Sequence, residues 1–288
     1  MMKPLKKVVI LAAGLGTRFL PMTKVIPKAM LPLLNKPVIQ YLVEEAIASG
    51  IHEIIIVTGI GKRTIEEHFD PSYELEHELR SRGKEDLLEE IKKLEKSARF
   101  VYVPQNEAKG DGHALLCAKE LLDDEPFAVL FGDDIIDGPT PALSQLLKVY
   151  EETGTSVLCT ERVPKERIGS YGVIGVMERG REDSALPSGR IRVASLIEKP
   201  RPEEAPSDYG IVGKYICTPE VLSALARSEA TSQLKKDELR LIDGFRTLLA
   251  EGQMLYALEV EGTRYDTGTP LGLLEANIAF AKKIKALI

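Results

Sequence analysis

The sequence predicts an α/β fold, with a mixed, mostly parallel central sheet covered by helices and with additional strands in its second half. Three observations predict it. Apolar runs rich in Val, Ile and Phe alternate with amphipathic segments through the first half. Strands that alternate with helices pair in parallel and need cover on both faces. The second half then carries strand-like runs at closer spacing.

The first strand is expected over Lys7–Leu11, where the apolar run Val8–Ala13 is too short to span a membrane and lacks the shape of a leader. A helix should begin at Pro37, suited to a first turn, and stop at Gly50, suited to the position past a helix end. Strands follow at Glu53–Val57, Phe100–Val103 and Phe127–Phe131, with a helix over Gly112–Leu122. Leu75–Lys96, dense in Glu, Lys, Arg and Leu, reads as a solvated helix or helix pair, and a subunit contact is the alternative use for it. In the second half, strands are expected over Ser156–Val163, Gly172–Met177, Ile191–Glu198, Ile211–Cys217 and Met254–Val260. Helices should cover Pro219–Ala226, Asp237–Ala250 and Pro270–Ile288, and Gly180–Gly189 and Arg201–Asp208 should be surface loops. No internal repeat or linker interrupts the chain, so residues 1–288 read as a single domain.

Composition narrows the function. The formal net charge of −6 gives a general nucleic-acid role no electrostatic support, so cations must gather locally wherever phosphates are handled. Cys117, Cys159 and Cys217 lie far apart without a CxxC spacing, which indicates neither zinc nor a disulfide framework and fits a reducing, cytoplasmic setting.

In a sheet of this kind ligands bind beyond the carboxyl ends of the strands, which directs attention to Ala12–Lys28 and Gly132–Asp134. Gly14 and Gly16 allow close backbone approach to a ligand, and Arg18 adds a fork-shaped cation matched to phosphate. The loop is not a dinucleotide fingerprint, because Phe19 stands where a third glycine would be, and it lacks the GKS or GKT ending of a Walker A loop. A plain strand-to-helix turn is the competing explanation, but the prolines that follow, together with Lys24 and Lys28, make a costly connector.

The segments LAAGLGTRFLPMTKVIPKAMLP and NKPVIQYLVEEA resemble the signature of the sugar-1-phosphate nucleotidylyltransferases, within them the bacterial UTP–glucose-1-phosphate uridylyltransferases. The similarity continues through HFDPSYELEHEL, VPQNEAKGDGHALLCA, FGDD, YGVIGV, EKP, IVGKYICTP and YDTGTPLG, nearly the whole chain. The resemblance implies a Rossmann-like α/β/α sandwich, with residues 1–135 mainly binding nucleotide and residues 136–288 mainly binding the sugar phosphate and ending in a helix. It implies UTP and glucose 1-phosphate as substrates, UDP-glucose and pyrophosphate as products, Mg²⁺ as cofactor, and a homo-oligomer, dimer or tetramer, with neither nucleic acid nor membrane as partner.

By the same resemblance Ala13, Gly14, Gly16, Thr17, Gln105 and Gly110 would bind the nucleotide. A side-chain amide offers both a donor and an acceptor to a pyrimidine edge, although Gln105 alone could equally be a surface amide. His113 reads better as a structural residue at a helix start than as an acid or base. Asp133 at a strand end and Asp266 in Tyr265-Asp266-Thr267-Gly268 would hold Mg²⁺, and Asp134 is given no direct role. Glu198 would bind sugar hydroxyls and Lys199 the sugar-linked phosphate, with Gly172 and Gly213 letting the hexose lie close. Consecutive residues on a pleated strand point to opposite faces, so Glu198 and Lys199 need a strand end or bulge to act together. Arg18, Lys28 and Lys199 are the expected catalytic cations. Ala29 departs from the pattern, since the uridylyltransferases usually carry an acidic residue there. The rivals are a glucose-1-phosphate thymidylyltransferase and a non-catalytic homologue that senses nucleotide sugars. An NAD-dependent oxidoreductase loses for want of the third glycine.

Overall fold

The computed structural model describes residues 3–59, 63–177, 189–231 and 238–287. The first half runs β1 (Lys7–Ala12), β2 (Pro32–Leu33), β3 (Lys36–Pro37), α1 (Val38–Ala48), β4 (Glu53–Gly59), α2 (Arg63–Phe69), α3 (Tyr73–Ser81), α4 (Glu85–Glu95), β5 (Arg99–Gln105), α5 (Asp111–Cys117), α6 (Lys119–Leu122) and β6 (Phe127–Phe131). The second half adds β7 (Asp134–Asp137), α7 (Ala142–Thr153), β8 (Val157–Arg162), β9 (Gly172–Val176), β10 (Arg190–Glu198), β11 (Tyr209–Cys217), α8 (Glu220–Thr231), α9 (Leu241–Ala250), β12 (Tyr256–Glu259), β13 (Thr263–Asp266) and α10 (Pro270–Leu287).

Nine strands form one mixed sheet in the order β5-β4-β1-β6-β11-β8-β12-β10-β9. β5, β4, β1 and β6 are parallel, as strands separated by helical crossovers must be. Antiparallel β11 then joins β6 to β8, so both halves of the chain share one sheet. Alternation along β1 explains the layers. Val9 and Leu11 enter a core with Leu115, Leu225 and Phe245, whereas Val8, Ile10 and Ala12 face Ile39, Leu42, Val43 and Leu146. Helices α5, α8 and α9 therefore cover one face and α1 and α7 the other, which is the α/β/α sandwich expected.

The expected strands and most expected helices are present. Gly112–Leu122 divides into α5 and α6, and the acidic stretch forms the α3–α4 pair. Two helices were missed, α2 and α7. The latter buries Ala142, Leu143, Leu146, Val149 and Tyr150, a helical spacing that the sequence carries. The helix expected from Asp237 starts at Leu241, and Asp237 itself lies outside the described residues, as does most of the Gly180–Gly189 loop. No helix among the described residues is long and apolar enough to cross a membrane.

Candidate active site

The turns after β1, β5 and β6 build a cleft at the carboxyl edge of the parallel strands. After β1, the chain passes through Gly16 at φ 65° into a 3-10 turn over Thr17–Phe19. A Cβ on Gly16 would lie 3.0 Å from Thr23 Cγ2 and 3.1 Å from Lys28 Cβ, so conformation and crowding both demand glycine. Thr23 Oγ1 donates to Gly16 O at 2.7 Å and folds the proline-stiffened stretch back over the loop. A further 3-10 turn, Lys28–Met30, then carries Lys28 to the cleft floor. There its Nζ lies 2.5 Å from Asp133 Oδ2, with both side chains about one-fifth exposed.

The cleft has two lobes. The first, a cavity of about 450 Å³, is lined by Ala13, Gly14, Gly16, Thr17, Lys28, Gln105 and Gly110. The second, about 470 Å³, is lined by Arg18, Gly172, Glu198, Lys199, Gly213 and Asp266. Asp111, Phe131, Asp133 and Glu238 line both, so every expected site residue borders one continuous cleft.

Gln105 is no surface amide, being only 7% exposed. Its Nε2 donates to Gly110 O at 3.0 Å and lies 3.0 Å from His113 Nδ1, which leaves Oε1 as the atom it can offer a ligand. His113 is thereby a structural partner of Gln105. Gly110 adopts φ 98°, and a Cβ there would fall 2.2 Å from Leu239 O.

The two acidic positions are brought together by a two-stranded ribbon. β13 pairs antiparallel with β7, placing Asp266 opposite Asp134. Thr267 donates its backbone N–H at 2.9 Å and its hydroxyl at 2.8 Å to Asp133 O, while Gly268 N–H donates to Asp266 Oδ1 at 3.0 Å. A Cβ on Gly268 would sit 2.2 Å from Asp133 Oδ2 and 3.0 Å from Asp266 Oδ1, so both carboxylates crowd this glycine. Asp134 turns to structural work: it accepts from Arg264 Nε at 2.6 Å and from Gly213 N–H at 2.9 Å. A Cβ on Gly213 would meet Asp134 Oδ2 and Phe131 Cβ, both at 2.5 Å. Glycine there is set by the chain's own packing. Among the described residues no three or more His, Cys, Asp or Glu side chains cluster to hold a metal; Asp133 and Asp266 approach each other at Gly268, and Asp111, Glu198 and Glu238 are further carboxylates on the cleft wall.

The pleat difficulty at Glu198-Lys199 resolves in the backbone. β10 ends at Glu198, opposite Gly172, and Lys199 takes φ 47°, a left-handed conformation uncommon for a residue with a side chain. Both side chains therefore border the same lobe, with Lys199 Nζ 3.8 Å from Glu198 Oε1. Ala29 is fully buried among apolar residues, behind Lys28, and borders neither lobe.

Five charged residues that line the cleft, Asp111, Arg167, Glu238, Arg240 and Arg264, escaped the sequence reading, and two of them hold its framework together. Arg240 Nη1 is bonded to Glu198 Oε1. Asp111 Oδ1 accepts from Leu241 N–H at 2.5 Å, and burial, with Glu198 nearby, pushes its carboxyl up to about 6.

A family model described as nucleotidyl transferase matches residues 7–283. A UTP–glucose-1-phosphate uridylyltransferase of Staphylococcus epidermidis is 47% identical over 98% of this chain and 94% of its own length. Its Bacillus subtilis counterpart is 45% identical over 99% and 94%. Among solved structures, a UDP-glucose pyrophosphorylase complexed with UDP-glucose superposes with a TM-score of 0.84 at 38% identity, over 97% of this chain and 100% of that one. A UTP-bound enzyme from Acinetobacter baumannii gives 0.85 at 34%, over 96% and 93%. On a match that runs through both lobes of the cleft and nearly the whole sequence, the chain belongs to the nucleotidyl transferase family.

Proposed function

We propose that this chain transfers the uridylyl group of UTP to glucose 1-phosphate, giving UDP-glucose and pyrophosphate. The observation that carries the reading is a two-lobed cleft whose lobes meet at Asp133, in a chain 45–47% identical to uridylyltransferases over nearly full length. Residues 1–135 supply most of the nucleotide lobe and residues 136–288 most of the sugar-phosphate lobe.

In this mechanism the backbone of Ala13, Gly14, Gly16 and Thr17 lies along the triphosphate, and Gln105 Oε1 accepts the imide N–H of uracil. Cytosine presents an acceptor at that position and is refused. A phosphate oxygen of glucose 1-phosphate attacks the α-phosphorus in line. The new O–P bond forms as the bond to the β-phosphate oxygen breaks, and pyrophosphate leaves. The nucleophile is already anionic, so no general base is required. Arg18 holds the departing phosphates, Lys28 stabilises charge at the α-phosphate, and Lys199 aligns the attacking phosphate. Glu198 accepts from sugar hydroxyls beside Gly172, and Gly213 keeps the floor of that lobe low.

The paired carboxylates of Asp133 and Asp266 suit Mg²⁺, a hard ion content with few protein oxygens and several waters. When bound, Mg²⁺ would neutralise charge on the phosphate oxygens. The ammonium of Lys28, already seated on Asp133, supports a site built for positive charge. We place the enzyme in the cytoplasm and expect a homo-oligomer. The exposed stripe Leu271, Leu274 and Ile278 on α10 supports the latter, and a monomeric mass by light scattering would refute it.

The test is pyrophosphate release with Mg²⁺, pairing glucose 1-phosphate in turn with UTP, dTTP, GTP, ATP and CTP. UTP should lead. Preference for dTTP would move the chain to the thymidylyltransferases, and silence with every pair would overturn the reading.

A further inference from the structure

The segment Leu239–Leu241 crosses between the lobes, and its two sides make different contacts. Its backbone is paired with the turn of the nucleotide lobe. Leu239 N–H donates to Lys109 O at 2.8 Å, and Gly112 N–H donates to Leu239 O at 3.0 Å. Asp111 takes the N–H of Leu241 at 2.5 Å, and only a glycine at 110 leaves room for Leu239 O. The same segment sends the side chain of Arg240 into the sugar-phosphate lobe, where it holds the Glu198 carboxylate. Arg240 is itself anchored at its own backbone, since Asp243 Oδ2 accepts its N–H at 3.0 Å to cap α9.

Charge gives this contact a purpose. A sugar 1-phosphate brings a dianion into a lobe that already holds Glu198, Asp133 and Asp266. Without Arg240, Glu198 would keep only the half-exposed Lys199 ammonium at 3.8 Å, the group that has to meet the incoming phosphate, and its carboxylate would be free to turn away from the hexose. A guanidinium on one carboxylate oxygen fixes the group and cancels its charge, while the second oxygen stays available to hydroxyls.

We propose that Arg240 is a positioning residue for the sugar 1-phosphate: it orients and neutralises Glu198, and the Leu239–Leu241 segment ties that hold to the Lys109–Gly112 turn of the nucleotide lobe. The inference rests on the uridylyltransferase reading and adds a residue to it. It makes the sugar subsite depend on a contact that no part of the nucleotide itself needs.

The test compares Arg240→Gln and Arg240→Lys with the unmodified protein, by calorimetric titration with UDP-glucose and with UDP and by steady-state kinetics. Arg240→Gln should weaken UDP-glucose binding and raise KM for glucose 1-phosphate by about tenfold or more, the worth of one charge-assisted hydrogen bond. UDP binding and KM for UTP should stay within about twofold, because only the side chain is altered and a factor of two is well under the tenfold that one such bond is worth. Arg240→Lys, or guanidinium ion added to the Gln variant, should recover part of the loss. Equal losses for UDP and UDP-glucose would reduce Arg240 to a brace for the fold and overturn the proposal, as would unchanged UDP-glucose binding in Arg240→Gln. If the unmodified protein binds UDP but not UDP-glucose, the functional reading falls and this inference falls with it.

Discussion

Replacing Lys28 by Ala gives the sharpest test of the site, because it should move two observables in opposite directions. The Lys28 ammonium lies 2.5 Å from Asp133 Oδ2. At an effective dielectric constant of about 20, unit charges at that separation attract by roughly 6–7 kcal/mol before desolvation is subtracted. Both side chains keep some solvent contact, so the net value is a fraction of this. For the reaction, the loss is one preorganised cation at the charge developing on the α-phosphate, a loss of about 10²–10³ in kcat. The same substitution removes the cation that competes for Asp133. Mn²⁺ titrated into the nucleotide-free protein, followed by electron paramagnetic resonance, should therefore bind more tightly than in the unmodified protein. Circular dichroism and melting temperature should change little, since Lys28 lies on a short turn at the cleft and not in a core. A kcat within threefold of the unmodified protein would refute the catalytic assignment. Weaker Mn²⁺ binding would refute the electrostatic account of the Lys28–Asp133 pair.

Other outcomes follow from charges buried near the cleft. Lys214 is wholly buried and its Nζ lies 2.6 Å from Glu45 Oε2, so Lys214→Met should cost about 3–5 kcal/mol in urea unfolding, whereas the Lys214→Met/Glu45→Leu pair should recover most of it. A double variant no better than the single would refute that pairing. Asp111, raised to about 6 by burial and by the nearby Glu198 and Asp243 carboxylates against the opposing pull of Leu241 N–H and Arg240, binds its proton more tightly folded than unfolded. Its contribution to stability is therefore most favourable below about pH 4 and declines as pH rises through about 6, by up to about 3 kcal/mol. Asp111→Asn keeps the acceptor for Leu241 N–H, so it should raise the melting temperature at pH 8 and flatten the curve between about pH 4 and 6. Parallel melting curves for the two proteins would refute the shift.

The local parts of this architecture could be read from the chain because they repeat local physics. Val8–Ala12 alternates into two cores, and Gly16 sits where the backbone turns with positive φ at the edge of the cleft. What could not be read depends on distant pairing. Nothing near Asp266 announces that β13 will lie on β7 and bring it to Asp133, across more than a hundred residues. Glu198 and Lys199 share a lobe only because the backbone turns left-handed at Lys199, which nothing in a pleated-strand pattern announces. Arg240 was absorbed into a helix expected from Asp237. It stands instead just before α9, where Ser, Thr, Asp or Asn is the usual signal, with Asp243 serving the capping box. That acid, three residues on, was the one available clue.

The central place of β11 has a consequence for synthesis on the ribosome. β6 can join β1 as soon as residue 131 has emerged, but its other edge pairs only with Lys214–Cys217. At roughly 5–20 residues per second, that edge stays open for about 4–17 seconds. During this interval the nascent chain exposes an apolar strand with unpaired amides, which is a template for association with another chain. Lys214 reaches Glu45 only when β11 closes the edge, so the buried ion pair marks the moment at which the growing polypeptide stops being open to its neighbours.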